Sequence, residues 1–388
     1  MIYFDNAATS FQKPEAVSKA VCRAIQCSGN ALRGSHEAAL ASLRILFQTR
    51  SLLDQMFHPG GPEQAAFTSN ATEALNTAIF GLFTPKDHVI TTCLEHNSVL
   101  RPLFHLEEMG MELSIVKADE KGCPDYDQLE KMIGPKTKGI VMTHASNLTG
   151  NLTDLDRVGK ICQKHDLYFV VDGSQTAGAF PIPMDRYHIS VLCLTGHKGL
   201  LGPQGTGAIL VKKGIKVRPL KMGGSGVLSY QKKQPDQMPE ALEAGTLNVH
   251  GIAGLLAALQ YINEIGIDKI REREQKLMRQ FYEGIVGLPG IYVYGDYEQT
   301  ERAPIVACNL GSWDSAAVSD ELMERFHIAT RPGAHCAPLI HECLGTKEQG
   351  AVRFSFSHFN TEEEVEQGIR AIQTLVEEEG KEKAGESV

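Results

Sequence analysis

Lys198 sits in LTGHKGLLGPQGTGAIL (194–210), after an apolar run and before a glycine-rich turn, with His197 beside it. A flexible cation there is either an ordinary loop lysine or an amine that does covalent chemistry. Other polar residues stand at similar junctions: Thr72 after AAFTSNA, His96 after ITTCLE, Asn147 after IVMTHAS, Asp172 and Gln175 after YFVV, and Thr195 after SVLCL. Each alone has an ordinary reading. A threonine before a helix caps it, an aspartate at a strand end turns the chain, and a lone histidine bonds structure. Together they put an acid, an amine, an imidazole and hydroxyl donors at one edge. That set suits a phosphorylated heteroaromatic aldehyde. The amine forms a Schiff base with the aldehyde. The acid keeps a pyridinium nitrogen protonated, so the ring becomes an electron sink. The phosphate sits at a helix N-terminus, where free N–H groups and the dipole favour an anion, and SNATEAL opens such a helix. An imidazole can lie on the ring face. The ligand with this chemistry is pyridoxal 5′-phosphate.

These residues need strands to carry them. Short apolar runs alternate with helical patterns: QAAFTSN, HVITTCLEH, LSIVKAD, TKGIVMTHASN, LYFVVDGSQ, ISVLCLTGHK and GTGAILVKK read as strands. This is an α/β pattern, a mostly parallel sheet covered on both faces. Ligands bind outside the carboxyl ends of such strands, where the polar residues fall. A long helix over HGIAGLLAALQYINEIG (250–266) links to an α+β region with strands APIVACNLG and GAVRFSFSH and helices SAAVSDELMERFH and TEEEVEQGIRAIQTLVEEE. The expected division is an N-terminal segment, 1–14, packing near the site, a large domain over 15–250, and a linker helix with a smaller domain over 251–388. DNAATS reads either as a plain N-terminal turn or as a loop in which Asp5 and Asn6 line a site, and the tail EGKEKAGESV reads as frayed.

The chain has 388 residues and a formal charge of −9, which argues against a broad grip on nucleic acid. Neither a membrane span nor a signal peptide is read, so a cytoplasmic location is the default expectation. The nine cysteines include no C-x-x-C pair, so free thiols and no metal site are expected. GPQGTG lacks the Lys-Ser or Lys-Thr of a phosphate-binding loop, and GGSG (223–226) lacks dinucleotide spacing.

VDGSQTAG, LTGHKGLLGPQGTGAIL, EAGTLN and RPGAHCAP, in this order, resemble the class V aminotransferase-like, fold-type I pyridoxal-phosphate enzymes. Within them the chain is similar to cysteine desulfurases of the SufS-like, selenocysteine lyase-like group. The fold implied is a large domain with a mostly parallel seven-stranded-type sheet and a smaller α+β domain. The resemblance implies that Lys198 is the Schiff-base lysine and moves a proton at the substrate α-carbon. It implies that His96 stacks on the ring, Asp172 pairs with the ring nitrogen and Gln175 donates to the ring 3-oxygen. Thr72, Thr195 and His197 would hold the phosphate, and Thr246 would reach the other subunit's phosphate, which makes a homodimer. Asn6, Asn147, Arg331 and Arg353 resemble substrate-binding residues, Arg353 as a clamp for the α-carboxylate.

Cys336, in RPGAHCAP, decides the expected reaction. In the resembled enzymes this thiol attacks the sulfur of bound L-cysteine, alanine leaves, and the sulfur stays as a persulfide until an acceptor protein or thiol takes it. Arg331 and His335 nearby are expected to favour the thiolate. Alternatives are a selenocysteine lyase, another transaminase or lyase of this type, or a cofactor-binding module without turnover. The chain departs from the group at NALRGSHEAAL, where Arg33 and His36 remain but a first histidine does not, at Thr195 in place of serine, and over 223–246.

Overall fold

The computed structural model describes residues 1–31 and 34–385, so Arg33 lies outside the described residues. The chain opens with β1 (Ile2–Tyr3), α1 (Glu15–Cys27) and α2 (Glu37–Phe57). Then come β2 (Ala65–Thr68), α3 (Ala71–Leu82), β3 (His88–Thr92), α4 (Asn97–Glu108), β4 (Glu112–Val116) and α5 (Tyr126–Lys131). Next are β5 (Thr137–Thr143), α6 (Leu155–Lys164), β6 (Tyr168–Asp172), β7 (Val191–Thr195) and β8 (Gly207–Val211). Two long helices come after them, α7 (Val249–Ile265) and α8 (Ile267–Ile285). The remainder is β9 (Ile291–Tyr294), β10 (Ile305–Leu310), α9 (Ser315–Phe326), β11 (Ile328–Ala329), α10 (Pro338–Cys343), β12 (Val352–Ser355) and α11 (Glu362–Gly385).

The central sheet has seven strands in the order β2-β8-β7-β6-β5-β3-β4. From β7 to β4 all neighbours are parallel, while β8 runs antiparallel to both its neighbours. Alternation along the strands builds two cores. Phe169, Val171, Leu192 and Leu194 face one, with α2, α6 and α7, whereas Val170, Val191 and Cys193 face the other, with α3 and α4. The period of two puts successive side chains on opposite faces. Because β2 is antiparallel to β8, its carboxyl end lies at the same edge as those of the parallel strands. That edge receives every strand end singled out in the sequence. The chain reverses its direction of travel between β3 and β5, a switch point of the kind where α/β sheets bind ligands.

A second, three-stranded antiparallel sheet, β12-β10-β9, packs with α8, α9 and α11 around Phe4, Phe281 and Phe354. The N-terminus joins it: β1 pairs with β11 in parallel, and Asp5 bridges Ser355. Two details differ from the sequence reading. The strand before Lys198 ends at Thr195, which leaves the lysine in the next turn. The tail that reads as frayed continues α11 to Gly385. Its Glu, Lys and Ala content has good intrinsic helix propensity. Among the described residues no helix is long and apolar enough to cross a membrane.

One buried ion pair ties α2 to the segment before α7. Arg50 Nη2 donates to both Glu243 oxygens (2.8 and 2.6 Å), and Glu243 also accepts from the Phe67 N–H at 2.7 Å. Burial pushes this carboxyl up, and Arg50 and the Phe67 N–H oppose the shift. Removing one partner strands the other without water. Glu243→Ala is therefore expected to cost about 3–5 kcal/mol of stability, measured as a lowered urea midpoint at constant m-value.

Candidate active site

At the carboxyl edge of the large sheet a cavity of about 220 Å3 is lined by Thr72, His96, Asn147, Asp172, Gln175, Thr195, His197, Lys198, Arg331 and Arg353, among others. Ten of the residues singled out in the sequence thus meet in one place. Asp172 ends β6, is 4% exposed, and accepts at Oδ1 from the Ser174 N–H (2.9 Å) and Ser174 Oγ (2.5 Å). Its position in the core fixes the carboxylate before any ligand arrives.

Lys198 sits in a turn that the N-terminal segment fastens. Ser10 donates to the His197 carbonyl through N–H and Oγ (both 3.1 Å) and Lys13 Nζ donates to it at 2.9 Å. Thr9 Oγ1 bonds His197 Nδ1 at 3.0 Å. Burial lowers the Lys198 amine to about 8, with Arg353 and Arg331 acting in the same direction and Asp172 and Asp5 opposing. His197 is lowered to about 4 by burial, then by Lys198 and Lys13, so near neutral pH it is an uncharged hydrogen-bonder.

His96 caps α4, and its Nδ1 meets Ser98 Oγ at 2.9 Å. Ser98 Oγ in turn meets Thr72 Oγ1 at 2.8 Å, so these three residues form one chain across the start of α3. Burial lowers His96 to about 4, helped by Lys198, Arg331 and Arg353 and opposed by Asp172. Its ring is therefore neutral at pH 7. Asn70 caps α3 by accepting from the Glu73 N–H, and Asn70, Ala71 and Thr72 all line the cavity. The helix N-terminus there is a ready anion site.

Arg353 is 1% exposed on β12. Its Nη1 donates to the Asn147 carbonyl (2.8 Å) and its Nη2 to Asp5 Oδ1 (2.9 Å). Asn147 Nδ2 donates to the His335 carbonyl at 2.7 Å. Arg331 stands opposite Arg353 in an antiparallel bridge, so two guanidiniums face the same cavity. Three buried atoms at this site, Thr195 Oγ1, Asn147 Oδ1 and Arg353 Nε, have no hydrogen-bond partner among the described residues. Buried polar groups ordinarily find partners. Unused donors and acceptors, two guanidiniums, an amine and a helix N-terminus fit an anionic aromatic aldehyde and an amino-acid carboxylate. The residues present therefore fit pyridoxal 5′-phosphate.

The Cys336 loop stands at the edge of this cavity. Arg331, a lining residue, reaches Cys336 Sγ with Nη2 at 3.8 Å, and the thiol is exposed. The Asn97 N–H donates to the Cys336 carbonyl at 2.7 Å and ties the loop to the start of α4. Cys336 and His335 both adopt left-handed backbone, with φ of 56° and 52°. For residues with a Cβ this costs about 1–3 kcal/mol each and is held by the surrounding structure. The His335 ring does not serve the thiol as the sequence reading expects. It is buried, its Nε2 bonds the Ala351 carbonyl at 2.9 Å, and burial with the charge of Arg353 holds it well below the ordinary imidazole range. Arg331 is the cation that reaches the sulfur.

Two expected residues lie elsewhere. Asn6 donates to the Tyr3 and Ser355 carbonyls and to Asn360 Oδ1 (3.2, 3.1 and 3.2 Å), and it lines a small cavity of about 40 Å3 that adjoins Lys198 and Gln175. Its amide is spent on anchoring the N-terminus. Thr246 is exposed on a separate cavity of about 440 Å3 with Asn30, Ser225 and His250. The sequence reading missed Ser10, Lys13 and Ser98, which support the site residues. It also missed Glu95, whose buried carboxyl accepts from Thr92 Oγ1 at 2.7 Å and is pushed up to about 8 by burial. Only Glu95 carried a signal, an acid inside an otherwise apolar strand end.

The Aminotransferase class-V family model matches residues 2–367. A probable cysteine desulfurase of Methanothermobacter thermautotrophicus is 31% identical, over 94% of this chain and 92% of that protein. One of Pyrococcus abyssi is 33% identical, over 97% and 94%. Among solved structures, the apo cysteine desulfurase of Thermococcus onnurineus superposes with a TM-score of 0.91 at 32% identity, over 97% of this chain and 94% of that one. The cysteine desulfurase CsdA of Escherichia coli superposes with a TM-score of 0.86 at 26% identity, over 97% and 94%. These bear on the desulfurase reading and add nothing for the selenocysteine lyase alternative. A family match across nearly the whole chain, on a fold-type I α/β frame with the site at its strand ends, means that this protein belongs to the class-V aminotransferase family, whose members in general use pyridoxal phosphate.

Proposed function

We propose that this protein is a pyridoxal-phosphate-dependent cysteine desulfurase that converts L-cysteine to L-alanine and keeps the sulfur as a persulfide on Cys336. The observation that carries the reading is an exposed Cys336 thiol, held by Arg331 at the edge of a cavity that Lys198 and Arg353 line. Full-length relatives named cysteine desulfurases support it.

Lys198 would hold the cofactor covalently, Asp172 would pair with its ring nitrogen, and the neutral His96 ring would stack on it. Thr72, Thr195, His197 and the α3 N-terminus would receive the phosphate, and Gln175, which spends one N–H on the Ala7 carbonyl at 3.3 Å, would have another for the ring oxygen. Bound there, pyridoxal phosphate supplies an electron sink for the pair released when the substrate α-proton leaves. Lys198 moves that proton, a task suited to an amine near 8. Arg353 and Asn147 orient the substrate. Cys336 sulfur then attacks the substrate sulfur: an S–S bond forms, the C–S bond breaks, its electron pair and the Cys336 thiol proton end on the β-carbon, and Lys198 returns the α-proton, so alanine leaves. The persulfide passes to an acceptor protein or thiol.

Incubation with L-cysteine and a thiol reductant tests this, with sulfide and alanine measured together. Equal amounts of both are expected. Pyruvate and ammonia in place of alanine would mean an eliminating lyase. Arg353→Lys keeps the charge but loses the planar two-pronged donor. It is expected to raise KM for L-cysteine by about 10–100-fold, the equivalent of one charge-assisted hydrogen bond.

Thr246 supports a homodimer with shared sites, because an exposed threonine away from its own cavity is available to a partner's phosphate. The separate core around Phe281 and Phe354 supports a smaller domain within 251–388, with 15–250 as the larger one and 1–14 fastened to both.

A further inference from the structure

We propose that Cys93 and Cys343 form an oxidation site that closes to a disulfide and staples the Cys336 loop to the end of β3. The two sulfurs lie 3.5 Å apart although 250 residues separate them in the chain, and both are free thiols. A disulfide needs about 2.05 Å, so the sulfurs close by about 1.5 Å. Leu94, Ala337 and Ile340 pack around the pair and hold its two segments together. The Asn97 N–H to Cys336 carbonyl bond already joins the same segments, since Cys336 is followed by α10, whose last residue is Cys343. The reading does not depend on the desulfurase reaction, which uses neither thiol.

Cys343 is half-buried and open to reagent, whereas Cys93 is 2% exposed. Hydrogen peroxide oxidises the Cys343 thiol to a sulfenic acid and releases one water. The Cys93 sulfur attacks the sulfenic sulfur, the S–O bond breaks, and the oxygen leaves as a second water with the Cys93 proton. The peroxide gains the two electrons that the two thiols lose. Burial pushes the Cys93 thiol up, which slows the second step, and contact between the sulfurs compensates.

The full-length, cofactor-loaded protein is treated with hydrogen peroxide, alkylated, digested without reduction and mapped by mass spectrometry. A peptide pair joining Cys93 to Cys343 is expected, abolished by dithiothreitol and absent from Cys343→Ser protein. No lysine or arginine separates 336 from 343, so both cysteines fall in one tryptic peptide. Repeating the treatment on Cys336→Ser protein removes that ambiguity, and the same cross-link is expected. Amide exchange over 336–343 is expected to slow in the oxidised protein relative to the reduced one. The proposal is overturned if Cys343 ends as a sulfenic or sulfinic acid, or joined to Cys336, while Cys93 remains alkylatable after unfolding. Unchanged exchange in a cross-linked protein would overturn the staple.

Discussion

Lys198→Ala is expected to lower alanine formation from L-cysteine by at least about 10^3-fold, because the variant loses both the covalent anchor and the proton-moving amine. Cofactor chemistry gives a second readout that does not depend on turnover. Only the neutral amine can attack an aldehyde. Burial holds Lys198 at about 8, whereas an exposed lysine stays mostly charged up to about pH 10. The lowered value has a clear sign: the amine is protonated below pH 8 and increasingly free above it. The rate at which apo-protein takes up pyridoxal phosphate covalently is therefore expected to rise between about pH 7 and 9, with its midpoint near 8, and level off above, monitored by borohydride trapping and mass measurement. Arg353 and Arg331 push in the same direction as burial, so Arg331→Ala should move the midpoint up. A pH profile that rises only above 10 would sink the assignment of a desolvated amine. Trapping at a different lysine would sink the anchor.

The strand-end residues were legible because an α/β sheet makes position in the sequence a proxy for position in space. Each apolar run of four to seven residues crosses the sheet once, so the residues just beyond it must emerge at an edge. Asp172, Asn147, Thr195 and Lys198 needed no more than that. The direction of individual side chains stayed hidden, as did every contact made across long separations. His335 sits beside Cys336 in sequence, yet successive left-handed residues turn its ring into the core and leave the thiol outside. Asn6 lies in a loop near the site, but the pairing of β1 with β11 swings its amide toward Ser355 and Asn360. Ser10 and Lys13 look like ordinary N-terminal polar residues, and only the folded chain brings them to the His197 carbonyl. Thr246 came from resemblance alone, and it stands exposed, away from the cavity that Lys198 lines.

Cys336→Ala separates the reaction from the cofactor site. Cys336 is not among the residues that line the cavity, and its sulfur meets the lining residue Arg331, so its removal leaves Lys198, Asp172 and His96 in place. Cofactor uptake and its pH profile are expected to be unchanged. Alanine formation from L-cysteine is expected to fall on the order of 10^3-fold, since the nucleophile and the groups that serve it act as a unit. In the unaltered protein, intact mass after brief exposure to L-cysteine should show one added sulfur atom, removable by dithiothreitol and absent from Cys336→Ala. Arg331→Ala is expected to sit between the two, because it removes the cation beside the sulfur but not the sulfur itself. The backbone sharpens the reading. Two adjacent residues with a Cβ are held in left-handed conformation at the site's edge, a cost that the surrounding structure offsets and that suits a loop presenting the thiol there. A Cys336→Ala protein that still yields equal alanine and sulfide would make that strained loop a structural feature and would move the sulfur acceptor to another group.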